Sequence, residues 1–272
     1  MAPGLVVDLH DAADTRVVLT NDIVKQPSIT TTELITPADP STPTGPLDPT
    51  LVLHPSTVTT DFDLLRFHAA AHDQLPNSNN KTTAKDSVYS TNLISSPYNS
   101  PGHFLSLSSP TLPLPSLLFA KALTALAPST PSYATAPYTS ALNFDHVLEV
   151  LRDLAPKDYI YPSTDFYVVV FRSKLKAGID LEYLYQLDYE SHREACESGG
   201  LLKYWFGKTD GERRNLATCF WHSREDAYKG GLGPWHLKAR RAGRELYEEI
   251  VFGTWKFTIQ EGAKGWECVD WA

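Results

Sequence analysis

The chain has 272 residues, 42% of them apolar, which is enough for one large packed domain or two modest ones, and a formal net charge of −8. That charge argues against nucleic acid or an anionic membrane surface as a partner, because both attract a surplus of Lys and Arg. Three cysteines, Cys196, Cys219 and Cys268, form no CxxC pair and do not suggest a secreted disulfide framework.

The opening MAPGLVVDLHDAADTR has no basic stretch leading into an apolar one, so no signal peptide is expected. The longest apolar run, SLLFAKALTALA at 116–127, is too short to cross a bilayer and contains Lys121. These features predict a soluble intracellular protein, cytoplasmic or also nuclear, whose sequon at Asn80 goes unused. Seventeen of the twenty prolines precede residue 140, whereas all six tryptophans follow residue 200. A packed domain is therefore expected at the C-terminal end, over 141–262, with a tail at 263–272. The Pro/Ser/Thr-rich region 1–140 in front of it is expected to be partly disordered or packed on that domain.

Within 1–140, GLVVDLH and TRVVLT read as strands, and TDFDLLRFHAAAHDQL at 60–75 reads as a helix. HAAAH at 68–72 sets two histidines one turn apart, but Ala69 stands where a zincin needs glutamate and there is no third ligand, so no metal is expected. NFDHVLEVLRDL repeats its apolar residues at helical spacing, with Asn143 as the cap. DFYVVVFRS at 165–173 reads as a buried strand. DLEYLYQLDYESHREAC at 180–196 is a helix capped by Asp180, with Leu184, Leu187, Ser191 and Ala195 on one face. LLKYWFGK and NLATCFWHS follow as strands joined by TDGERR, whose Asp-Gly signals a hairpin. A short helix in SREDAYKG, a helix from Pro234 and a strand at 251–259 complete the series.

The order β-α-β-β-α-β predicts an α+β, ferredoxin-like domain: an antiparallel sheet with both helices on one face. Aromatic and branched residues on every strand leave the other face in need of a cover, and a second copy of the sheet would supply it, giving a homodimer with a barrel-like interior.

KGGLGPWH at 229–236 matches neither a P-loop nor a GxGxxG fingerprint, and its glycines and Pro234 suit a turn that starts a helix. His236, near that helix's N-terminus, should stay neutral, either as a donor or base or as a structural histidine pinned by a backbone carbonyl. Strand alternation puts Phe166, Val168, Val170 and Arg172 on one face, with Leu216, Thr218, Phe220 and His222 alongside if Ala217 and Cys219 lie under the helices. Arg172, Thr218 and His222 would then line the open face. The alternative is that Arg172 and His222 sit at strand ends and point into solvent.

FYVVVFRSKL, GGLLKYWFG, RNLATCFWHSREDA and GGLGPWHLKA resemble a fungal family catalogued as uncharacterised. Its C-terminal half is similar to the dimeric α+β barrel proteins, which include the antibiotic-biosynthesis monooxygenase-like domains. The resemblance covers residues 143–260 and supports the fold more than an activity. The wider superfamily shares no single catalytic residue, but a cavity with one arginine, one histidine and aromatic walls would suit a small hydrophobic or aromatic organic ligand, oxidised or isomerised without a bound cofactor. On that reading His222 or His236 serves as base or donor, Arg172 holds an anionic group, Thr218 lines the cavity, and Tyr204, Trp221 and Trp235 form walls. Haem, with one of these histidines as axial ligand, is a variant. A non-catalytic dimerisation or protein-interaction module is the rival expectation.

Overall fold

The computed structural model describes residues 92–98, 102–107 and 112–271. The strands and the helix read at 1–75, and HAAAH, lie outside the described residues. In chain order the elements are strands β1 (Asn92–Ile94) and β2 (Phe104–Ser106), helix α1 (Leu114–Ala122), a 3₁₀ turn at Leu123–Ala125, α2 (Tyr138–Ala141), α3 (Phe144–Leu154), β3 (Thr164–Leu175), α4 (Leu181–Glu197), β4 (Leu201–Phe206), β5 (Arg214–Trp221), α5 (Arg224–Gly230), α6 (Pro234–Leu246), β6 (Tyr247–Ile259) and β7 (Trp266–Asp270).

One sheet carries the domain, in the order β4-β5-β3-β6-β7, with every neighbouring pair antiparallel. Strands β3, β4, β5 and β6 with α4 and α6 form the β-α-β-β-α-β arrangement that the hydrophobic periods predict. Asp180 caps α4 by accepting from the Tyr183 amide at 2.9 Å. Asn143 stands at the N-cap of α3, but its side chain makes no capping hydrogen bond. Its amide side chain instead ties down the preceding turn, accepting from the Ala127 amide (2.7 Å) and donating to the Ala125 carbonyl (3.0 Å). The final strand starts four residues earlier than its breaker-free run suggests, because α6 passes directly into β6 and buries Tyr247 and Ile250 against the helix side. Residues written as a tail form β7, a fifth strand on the edge of β6.

The sheet separates two cores. On one side Tyr167, Val169, Phe171, Ala217, Cys219 and Trp221 pack under α4 and α6. On the other, Phe166, Val168, Val170, Leu216, Phe220 and Phe257 meet Leu117, Leu118, Phe119, Phe144, Val147 and Leu151 of α1 and α3. Phe119 lies 4.5 Å from Phe166 between ring centroids, and Phe144 lies 5.2 Å from Phe257. The reverse face therefore does need a cover, but residues 112–154 of the same chain supply it. No second copy of the sheet can pack there, and the barrel-like interior expected between two copies is filled by side chains. The boundary placed at residue 140 falls inside this covering layer.

Candidate functional site

The seven residues expected to line one cavity lie on opposite faces of the sheet. Arg172, Thr218 and His222 share the face assigned to them by alternation, but that face is not open, and each of the three holds the cover in place. The Arg172 guanidinium donates to the carbonyls of Ala134 (2.6 Å) and Ala136, with a longer contact to Tyr133. Burial lowers the pKa of this guanidinium. The Thr218 hydroxyl donates to the Val169 carbonyl at 3.1 Å and accepts from Tyr138 Oη at 2.8 Å. His222 Nδ1 and Ser116 Oγ share a hydrogen bond of 2.9 Å beneath the start of α1. In this structure these residues hold the cover on the sheet.

Tyr204, Trp221, Trp235 and His236 lie on the helix side. Trp221 is fully buried and its ring fills the space that a side chain at Gly230 would need. Trp235 is partly buried, with Lys238 Nζ 3.7 Å from its ring centre.

His236 belongs to an arrangement that explains KGGLGPWH. Glu194, near the end of α4, accepts from the backbone amides of Trp235 (2.8 Å) and His236 (3.1 Å), and from His236 Nδ1 (2.8 Å). The first turn of α6 is thus an anion site filled by the chain's own carboxylate. A Cβ on Gly233 would collide with that carboxylate, so glycine is required there by close approach. Burial lowers the His236 pKa despite the pull of Glu194 in the opposite direction. For Glu194, burial works against ionisation, but the three donated hydrogen bonds outweigh it and hold the carboxyl below the usual range. The histidine is pinned by a carboxylate where a carbonyl was expected.

Between α4 and the sheet runs a polar seam that the sequence reading did not single out. Asp188, buried one turn after Leu184, accepts from Tyr204 Oη at 2.9 Å and from Tyr98 Oη. One turn further along α4, His192 shares an Nδ1–Nδ1 hydrogen bond of 2.8 Å with His103, the two rings being parallel to within 2°. Such a bond needs one Nδ1 protonated and the other bare, so the accepting ring is neutral with its proton on Nε2. Burial keeps His192 well below the ordinary histidine pKa, and burial together with Arg193 brings His103 down to about 4. Cys196 Sγ lies 3.7 Å from the His192 ring, and burial pushes its thiol far up, which makes it inert as a nucleophile at neutral pH. Around this seam three buried polar atoms, Ser191 Oγ, Tyr247 Oη and His103 Nε2, have no hydrogen-bond partner among the described residues. Burial raises the Tyr247 and Tyr204 phenol pKa values, with Asp188 adding to both, so both stay protonated.

The signal for the seam was present in the α4 sequence. Asp188 and His192 follow Leu184 at intervals of four, on the buried stripe itself, where only apolar and small residues were read. Among the described residues no group of three or more His, Cys, Asp or Glu side chains is placed to hold a metal ion.

A family model described as PB2B2.08-like matches residues 94–270. The UPF0643 protein PB2B2.08 of Schizosaccharomyces pombe (strain 972 / ATCC 24843) is 33% identical over 180 residues, covering 63% of this chain and 81% of that protein. Among solved structures, Rv0793 from Mycobacterium tuberculosis superposes with a TM-score of 0.30 at 14% identity, over 33% of this chain and 91% of its own. A candidate antibiotic biosynthesis monooxygenase from Chloroflexus aurantiacus J-10-fl gives a TM-score of 0.28 at 20% identity, over 33% and 89% of the two chains.

Proposed function

The chain belongs to the PB2B2.08-like family, and from that premise we propose that its domain binds a small organic molecule bearing hydrogen-bonding groups in the seam beside α4. The observation that carries this reading is the group of unpaired atoms around Asp188. Buried polar groups are nearly always paired, and leaving one unmet costs about 1–3 kcal/mol. Ser191 Oγ on α4, Tyr247 Oη at the start of β6 and His103 Nε2 just before β2 are buried without a hydrogen-bond partner among the described residues. Groups left unmet in the protein alone can be met by a ligand.

The chemistry such a seam would support is proton transfer. Asp188 would accept a proton while Tyr204 and the neutral imidazole pair donate, the needs of an isomerase-like reaction without a cofactor. A monooxygenase-like reaction would need dioxygen as co-reactant in the same place. Haem suits neither histidine first considered for it: His222 is bonded to Ser116 beneath α1, and His236 is fully buried with Nδ1 on Glu194, so either would have to leave its present partner.

The test is native mass spectrometry of protein from its own host, alongside the variants S191A and Y247F. Removing an unmet polar atom should leave folding stability equal or higher, while the retained small molecule is lost. Stability gained with no bound molecule in any preparation would remove the reading.

A second reading, a homodimer or interaction module, has one observation in its favour. β7 pairs only with residues 255–259 of β6, so the outer edge from Tyr247 to Gly253 has no strand beside it among the described residues. Such an edge can pair with a second chain. A single monomeric mass at micromolar concentration would remove this alternative.

A further inference from the structure

The centre of the seam is filled by a side chain that does not come from its frame. α4 and β4 supply a cage: Tyr185, Tyr189 and His192 from the helix, Tyr204 and Phe206 from the strand, and Asp188 at the bottom. The ring inside it is Tyr98, with centroid distances of 5.3 Å to Tyr189 (edge-on), 5.1 Å to His192, 6.1 Å to Phe206 and 6.5 Å to Tyr204. Its hydroxyl donates to Asp188. Tyr98 itself belongs to the irregular stretch Ser95–Tyr98 after β1. Tyr204 N–H donates to the Ser95 carbonyl at 2.8 Å, which ties this stretch to β4. A cage built on a helix and a strand is thus occupied by a phenol carried on a strap with no regular structure of its own.

We propose that this cage is a binding site for hydroxylated aromatic compounds, occupied in this structure by the chain's own phenol, so that ligand entry and displacement of the Ser95–Tyr98 strap are one competition. The fit follows from what the cage already holds. It accepts one six-membered aromatic ring edge-on and tilted against its neighbours, the arrangement such rings prefer. It also offers the Asp188 carboxylate, which already accepts from a phenol. An aromatic ring without the hydroxyl would leave Asp188 short of a donor, which is how a buried polar site rejects an apolar analogue. Because the strap competes, the affinity measured for a ligand is the intrinsic affinity multiplied by the fraction of molecules with Tyr98 out of the cage. This inference rests on the seam reading and specifies its ligand.

The test uses the full chain, with p-cresol as probe and toluene as control, followed by calorimetry and by hydrogen exchange at the Tyr204 amide. Y98F removes the bond to Asp188 and weakens the strap. It should bind p-cresol about tenfold more tightly than the unaltered protein. In the unaltered protein, saturating p-cresol should speed exchange of the Tyr204 amide, because that N–H loses the Ser95 carbonyl when the strap leaves. D188N, combined with Y98F, should weaken p-cresol and leave toluene unchanged. Equal binding of p-cresol and toluene, insensitive to D188N, would reduce the cage to a greasy cavity and overturn the proposal. Unchanged affinity in Y98F together with slow exchange under p-cresol would overturn it as well. If p-cresol fails in these ways while protein from the host carries a molecule that S191A or Y247F releases, the seam reading survives and only the Tyr98 competition falls.

Discussion

The Arg172 guanidinium donates to the carbonyl of Ala134 at 2.6 Å, joining the middle of the sheet to a loop nearly forty residues earlier in the chain. The loop has almost no regular structure of its own between the 3₁₀ turn and α2, so its carbonyls have few partners within it. A charged donor held between two or three of them substitutes for the missing ladder. Replacing Arg172 with methionine keeps the stem and removes the donors. We expect a loss of about 2–4 kcal/mol in urea unfolding, the usual scale when buried acceptors lose a charged partner. A change below about 0.5 kcal/mol would mean that water replaces the guanidinium and that the loop is not anchored there.

Removal of residues 1–142 tests the cover as a whole. It deletes α1 and α2 and strips Phe166, Val168, Val170, Phe220 and Phe257 of Leu117, Leu118 and Phe119. An exposed apolar face of that kind drives association. The truncated chain should aggregate or show the expanded, dye-binding behaviour of a molten globule. A monomeric product with sharp near-ultraviolet circular dichroism would contradict the assignment of the cover to the core.

The anchored loop and the cover mark where the sequence was legible. The alternation in DFYVVVFRS and NLATCFWHS placed Arg172, Thr218 and His222 on a common face, and Ala217 and Cys219 under the helices, because a strand's period of two leaves little choice. What lies against that face was not readable. α1 is buried on every side: each residue from Ser116 to Ala122 is buried, Lys121 included, so it has no exposed polar face from which to infer an orientation. α2 is only four residues long. The loop between them is held by side-chain and carbonyl contacts that leave no periodic trace. In α4 the period was present, but the stripe was read through Leu184, Leu187, Ser191 and Ala195 alone, although Asp188 and His192 share it and position on the stripe decides burial. β7 is a short edge strand after Gly265, too brief to stand out from a tail.

Acid should unfold the protein through its neutral histidines. His103 falls to about 4, and His192 and His236 are also held below the ordinary value. Between the unfolded value near 6.5 and these lower folded values, the unfolded chain binds more protons, so stability drops as the pH is lowered through that window. For His103 the full effect is on the order of 3 kcal/mol. Denaturant midpoints measured from pH 7 to pH 4 should decline steeply in the unaltered protein and less steeply in H103F. Parallel curves would show that His103 titrates equally in both states.

Lys203 gives the opposite limb of the pH profile. A bulge in β4 between Leu201 and Lys203 breaks the alternation and sets Lys203 opposite Phe220, on the face covered by α1. Its side chain is 1% exposed, and Nζ has no hydrogen-bond partner among the described residues. Burial alone brings the amine down to about 7 from the 10.5 of an exposed lysine. The folded state therefore holds fewer protons than the unfolded chain between those two values, and stability should keep rising with pH from about 7 toward 10. In K203M the side chain fills the same space without an amine, so that rise should disappear. The variant should also be more stable than the unaltered protein at pH 7, by about 2–4 kcal/mol on the scale of replacing a buried unpaired group with an apolar one of similar shape. Equal stability of the two proteins at pH 7, with the alkaline rise intact in K203M, would show that Lys203 reaches solvent or a partner and that its burial carries no penalty.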